Sequence, residues 1–205
     1  MNDPKSILEP IGGYVLDLVA KLRNRQFVPH SLTKLHNMKT CRDMTGATTA
    51  VEIGSYKGVT TKRMSRLFEK VISVEIDEAL YRQASQRCAG RKNVELLLGD
   101  GSKLLPEIAT RVDKALIFLD GHFSGGITGQ GDEPEPVLKE LDLIQANLGR
   151  FCAVIVDDFR LFGVEPGWPR KAEVMEKLED VLPAPEWVHG VLNDQFIAVR
   201  KRTAK

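Results

Sequence analysis

Net charge, long apolar runs and cysteine are all scarce in this chain, and each scarcity excludes something. Across 205 residues, 29 Lys and Arg face 28 Asp and Glu, leaving a formal charge of +1. A broad nucleic-acid footprint needs a clear basic excess on one face, so no nucleic-acid partner is expected. A small group of Arg23, Arg25, Lys34 and Lys39 is the one local exception. The longest apolar run, Phe151 to Val156, has six residues, against the ~20 that a membrane-crossing helix requires. The opening MNDPKSILEPIGG lacks the basic start and apolar block of a secretory signal, so a cytoplasmic protein with no membrane partner is expected. Three cysteines, Cys41, Cys88 and Cys152, form no C-x-x-C pair. Neither a disulfide framework nor a zinc knuckle is suggested, and buried or half-buried thiols are expected. What remains, 42% hydrophobic and 28% charged residues without repeats or low-complexity tracts, describes a single globular domain over 1–205.

Short aliphatic runs occur at Thr49–Ile53, Val71–Ile76, Val94–Leu98, Ala115–Leu119 and Ala153–Val156. They are apolar at odd and even positions alike, which predicts strands buried on both faces, as in a parallel sheet. Helical spacing fills the gaps: Val59, Met64, Leu67, Phe68; Leu80, Ala84, Cys88; Leu104, Leu105, Ile108; and Val137 through Leu148. Five alternations of strand and helix specify a doubly wound α/β fold. A further helix is predicted over Lys171–Leu182. Two more strands follow, Trp187–Leu192 and Phe196–Arg200, separated by Asn193-Asp194-Gln195. So short a connection demands a hairpin and hence an antiparallel final strand. The expected architecture is a mostly parallel, seven-stranded, Rossmann-like sheet over 49–200, preceded by a helical segment over 1–48. Within that segment helices are predicted around Tyr14–Leu22 and Leu32–Met44, and a homodimer through them is compatible with the sequence.

Ligands of open α/β sheets bind at the carboxyl ends of the strands. The first strand runs into Glu52-Ile-Gly54-Ser55-Tyr56-Lys-Gly58, where missing side chains at Gly54 and Gly58 let backbone approach a ligand. Glu75 ends the second strand 75 − 54 = 21 residues after Gly54, the spacing at which an acid meets a ribose diol. Asp100, Asp120 and the pair Asp157-Asp158 follow the third, fourth and fifth strands. Every one of these strands thus brings a carboxylate to one edge. Pyrophosphate-bearing dinucleotides have little use for so many acids, whereas a sulfonium nucleoside is favoured by them. The turn also departs from G-x-G-x-x-G, so S-adenosylmethionine fits better than NAD.

On these residues, from about Ala50 to Phe159, the chain resembles a class I S-adenosylmethionine-dependent methyltransferase in the style of the catechol O-methyltransferase-like branch. VEIGSYKGVTT resembles that branch's first motif and VISVEID its second. The resemblance implies that Gly54, Ser55, Tyr56 and Thr60 surround the methionine portion and that Glu52 stands near its amino group. It further implies that Glu75 takes the ribose hydroxyls with Ile76 against adenine, and that Asp100, Gly101 and Ser102 lie at the adenine edge. Members of the branch hold a divalent metal with acids at the positions of Asp120, Asp157 and Asp158. Adjacent strands are ~4.8 Å apart, and all-oxygen ligation favours magnesium or a similar hard cation. Alternatively, Asp120 orients the cofactor amine and the Asp157-Asp158 pair caps a turn.

The branch's lysine base is missing after Asp120, where the run is Gly121-His122-Phe123-Ser124-Gly125-Gly126. His122 is then the expected proton acceptor, since imidazole titrates near neutrality, with orientation of the substrate as its other role. Gly121–Pro136 is expected to be a lid or a solvated loop. Arg160 either holds an anionic substrate group or pairs with a loop acid. His30, His36 and His189 lack a partner motif and are expected at the surface or in packing. The expected function is methyl transfer to a small-molecule acceptor, an O-methyltransferase. A nicotinamide-dependent or other metal enzyme on the same fold and a non-catalytic S-adenosylmethionine-binding protein are the alternatives.

Overall fold

The computed structural model describes residues 8–23, 30–121 and 136–201. Seven strands, β1 (Thr49–Ile53), β2 (Lys70–Glu75), β3 (Val94–Leu98), β4 (Ala115–Leu119), β5 (Phe151–Val156), β6 (Trp187–Leu192) and β7 (Gln195–Arg200), form one sheet. Their order is β3-β2-β1-β4-β5-β7-β6. The pairings from β3 through β5 are parallel, while β7 runs antiparallel to both β5 and β6. β7 therefore inserts between β5 and β6, an order that the hairpin alone does not specify. The hairpin loop is shorter than the sequence suggests: Gln195 pairs with Leu192, leaving Asn193 and Asp194, both at positive φ (51° and 62°), as a two-residue turn whose twist matches the strands.

Side chains alternate across the sheet. Val51, Ile53, Ile72, Ile117 and Val154 point to one core, shared with α5 (Gly101–Thr110), α6 (Val137–Ala146) and α7 (Lys171–Val181). Ala50, Val71, Phe118 and Ile155 point to the other, against Met38 and Cys41 of α2 (Ser31–Thr45) and Met64 of α3 (Val59–Met64). Burial on both faces holds for β1, β4 and β5. It fails for β3, an edge strand whose Leu98 is exposed, because it pairs with a neighbouring strand on one side only; α4 (Glu78–Cys88) packs against it. The three cysteines are free and buried, as expected. Among the described residues no helix is long and apolar enough to cross a membrane.

The N-terminal segment is tied to the site. α1 (Leu8–Leu22) packs on α2, whose N-cap residue, His30, makes no side-chain cap bond. Asp17 of α1 supplies one from outside: its Oδ2 accepts the His30 backbone N–H at 2.8 Å and the Thr33 hydroxyl, and Oδ1 meets His30 Nδ1 at 2.6 Å. His30 therefore has a partner that no sequence motif announces. Its ring lies so close to Gly13 that a Cβ there would come within 2.4 Å of it. His189 packs, stacked on Phe196 at 5.5 Å.

Candidate functional site

The alternation that builds the two cores also aims the acids. Glu52, Glu75, Asp120 and Asp157 share the parity of Ala50, Val71, Phe118 and Ile155, so all four lie on the α2–α3 side of the sheet at its carboxyl edge. The turn after β1 is held there by β2, whose Val74 carbonyl accepts both Gly54 N–H and Ser55 N–H at 3.0 Å. Gly54 has φ 95°, and a Cβ on it would lie 2.3 Å from the Asp120 carbonyl oxygen. The β4 backbone passes too close for any other residue. Gly58 (φ 71°) is glycine for a different reason: its Cβ would sit 2.8 Å from Ala84 Cα, so the small residue serves helix packing between α3 and α4.

Glu75 locks this turn to β2. Its Oε2 accepts the Tyr56 N–H at 2.7 Å and its Oε1 the Asp77 N–H at 3.0 Å. Burial pushes its carboxyl pKa up, and these backbone donors counteract the push. Each oxygen keeps a further lone pair, so hydroxyl donors remain acceptable to it. Ile76 beside it is half-buried. Asp100 caps α5, its Oδ1 accepting from Ser102 N–H at 2.9 Å and Ser102 Oγ at 2.8 Å. Gly101 is pressed on Ile53, whose Cγ2 would stand 2.4 Å from a Cβ.

Glu52 faces the same side of the sheet from within β1. It is fully buried, and its Oε2 accepts from the hydroxyls of Thr61 and Ser73. Oε1 has no hydrogen-bond partner among the described residues. Burial pushes the carboxyl up to about 7 despite the two hydroxyls.

An open cavity of about 230 Å³ joins the two halves of the edge. It is lined by Gly54, Ser55, Tyr56, Val59 and Thr60 of the turn after β1 and the start of α3, by Ser31 and Lys34 of α2, and by Asp120 after β4. Lys34 is the functional residue that sequence reasoning missed. It reaches from α2 into the aspartates, its Nζ paired with Asp157 Oδ2 and lying 3.9 Å from Asp120 Oδ2 and 4.0 Å from Asp158 Oδ1. Burial alone would lower its pKa; the three carboxylates outweigh that and raise it, so the side chain is a fixed cation.

Asp157 is itself completely buried, and its Oδ1 accepts from Gln195 Nε2 at 3.1 Å. Gln195 Oε1 in turn accepts from Asn37 Nδ2 at 2.7 Å. Asp158 (φ 49°) accepts from Arg160 at 2.9 Å, and Arg160 also pairs with Asp194 at the hairpin tip. Arg160 thus pairs with loop acids, the second of its two expected roles.

The structure does bring the expected metal trio together, around an ammonium group. Among the described residues no cluster of three His, Cys, Asp or Glu side chains is arranged to hold a metal ion. The magnesium expectation is thereby unsupported, and the physical reason is Lys34: a hard cation needs carboxylate oxygens at 2.0–2.6 Å, in space the ammonium fills. Lys34 likewise leaves the supposed basic surface patch. Lys39 is ion-paired with Asp43, and Arg25 lies outside the described residues. His122 and positions 122–135 of the expected lid also lie outside them.

No family model matches the chain. Over 81 residues it is 37% identical to a Methanosarcina mazei protein named Probable ribosomal RNA small subunit methyltransferase A; the match spans 39% of this chain and only 28% of that protein. Among solved structures, the O-methyltransferase from Bacillus cereus in complex with S-adenosylhomocysteine superposes with TM-score 0.62 at 18% identity, covering 98% of this chain and 93% of that one. TomG, a Streptomyces achromogenes O-methyltransferase involved in tomaymycin synthesis and solved with S-adenosylmethionine, gives 0.60 at 15%, covering 98% and 92%. At such identities the likeness is one of fold. The chain has the same seven-stranded, Rossmann-like fold as these two O-methyltransferases.

Proposed function

We propose that the protein transfers a methyl group from S-adenosylmethionine to a hydroxyl oxygen of a small molecule. The observation that carries this reading is the cavity, lined by the Gly54–Tyr56 turn together with Lys34 and Asp120. S-adenosylmethionine supplies a methyl carbon already activated by cationic sulfur, so the protein's task is alignment and removal of the acceptor proton. Gly54, Ser55, Tyr56 and Thr60 receive the methionine portion, Glu75 the ribose hydroxyls, and Ile76 with the Asp100–Ser102 cap the adenine. Glu52 acts from beneath, bracing Thr61 and Ser73 rather than touching the ligand. Asp120 orients the acceptor hydroxyl. The carbon–sulfur electron pair stays on sulfur, the acceptor oxygen forms the new bond to carbon, and its proton passes to His122. No step is assigned to a metal.

A second reading, an RNA acceptor, rests on the sequence likeness to a ribosomal RNA methyltransferase. The near-neutral charge and the inward turn of Lys34 favour the small molecule. Titration calorimetry of S-adenosylhomocysteine into the purified chain, with NAD as comparison and an RNA-binding arm at moderate salt, tests the proposal. Binding of the homocysteine ligand, abolished in Glu75→Ala, is the expected result. Binding of NAD instead, or of neither ligand at ~1 mM, a very weak affinity, overturns it. Salt-sensitive RNA binding transfers the acceptor assignment to the second reading.

A further inference from the structure

We propose that Lys34 is the permanent cation of the acceptor pocket: its ammonium stands among Asp120, Asp157 and Asp158 in place of a divalent metal, and the protein works without one. The inference deepens the reading of this pocket as a methyl-acceptor site, but its own evidence is geometric. Three carboxylates from the ends of two adjacent strands surround one nitrogen, with Asp157 in direct ion pair and the other two at 3.9 and 4.0 Å. Coulomb attraction at such distances is substantial where water is excluded, and Lys34 is 16% and Asp157 0% exposed.

Both ends of the pair are held in place. Lys34 lies in the first turn of α2, which Asp17 caps from outside. Met38 and Cys41, lower on the same helix, are buried against the sheet. On the other side Asp157 Oδ1 is fixed by Gln195, itself fixed by Asn37 one turn along α2 from Lys34. The same helix therefore grips β5 twice, once by charge and once through an amide relay. A metal ion would have to expel an ammonium that this double grip holds in the pocket. Because Lys34 also lines the cavity, its charge is available to the acceptor oxygen as negative charge develops there, the service a metal ion otherwise gives.

The test measures uptake of Mn²⁺, used alone as the probe, by electron paramagnetic resonance on the full chain. The wild type and Lys34→Arg are expected to take up no Mn²⁺ at ~0.1 mM, a concentration that fills an ordinary carboxylate site. Lys34→Ala, its trio vacated, is expected to bind one equivalent, and the additional change Asp157→Asn to remove it. A wild-type protein that binds one Mn²⁺, lost in Asp157→Asn, overturns the proposal, and this arm decides even where Lys34→Ala does not fold. A folded Lys34→Ala that takes up no Mn²⁺ overturns it too. Binding of S-adenosylhomocysteine is read separately, so failure of the methyltransferase reading and failure of the lysine assignment give different results.

Discussion

Glu52 offers the sharpest quantitative test of the site's construction. Its carboxyl is fully buried, Oε2 is occupied by two hydroxyls, and Oε1 has no hydrogen-bond partner among the described residues. Burial drives its pKa from an ordinary 4.5 up to about 7, with Glu75 adding to the push and Ser73, Thr61 and Lys34 opposing it. Between those two values the native carboxyl keeps a proton that the unfolded one has released. The native state binds more protons there, so stability falls as pH rises through the window and the full penalty is present above pH 7. At about 1.36 kcal/mol per pH unit, the penalty approaches roughly 3 kcal/mol. Glu52→Gln keeps an oxygen for the two hydroxyls and cannot ionise. Urea unfolding from about pH 4 to pH 8 should show the variant gaining on the wild type by roughly 3 kcal/mol. That gain corresponds to a relative rise of roughly 6–12 °C in Tm for a chain of this size. A difference between the two proteins that stays constant over that range would refute the reasoning, since it would mean that the carboxylate is not desolvated in the native state.

Two other substitutions probe the frame. Gly54→Ala places a methyl group 2.3 Å from the Asp120 carbonyl at φ 95°; a loss of at least ~2–3 kcal/mol is expected from positive φ and overpacking combined, read by urea unfolding, together with loss of S-adenosylhomocysteine binding in calorimetry. Asp17→Ala leaves the His30 N–H and Thr33 hydroxyl at the start of α2 without their acceptor; about 2 kcal/mol of destabilisation is expected, and limited proteolysis should cut α1 earlier than in the wild type.

The strands were legible because a parallel sheet imposes continuous burial, and runs such as Ala115–Leu119 carry that burial at every position. Three of their ends were legible too, since Glu75, Asp120 and Asp157 stand where their apolar runs close, and this placed them on one edge. The insertion of β7 between β5 and β6 was not, because strand order depends on which exposed edge the hairpin meets and not on any local pattern. Gly54 and Gly58 look alike in sequence, yet one clears a backbone in β4 and the other clears α4; only packing separates them. Lys34 was invisible for a related reason. A lysine on a polar helix reads as surface, and only the docking of α2 over β4, β5 and β7 reveals that its charge is needed inside. The signal available was the surplus of acids at one edge, which calls for a cation without saying where it comes from.

The Lys34–Asp157–Gln195–Asn37 arrangement has a consequence for how the protein matures. The glycine turn, Glu75 and the Asp100 cap lie within some fifty consecutive residues and close on one another by neighbouring contacts. The Lys34 side of the cavity instead joins Asn37 to Gln195 across a separation of 158 positions, so during synthesis it stays open until the last strand, β7, has emerged. Chains released early, or shortened at the hairpin, would keep the glycine turn, Glu75 and the Asp100 cap while leaving Asp157 without its amide brace. Closure of the Lys34 pocket would then come last, once β7 has paired with β5.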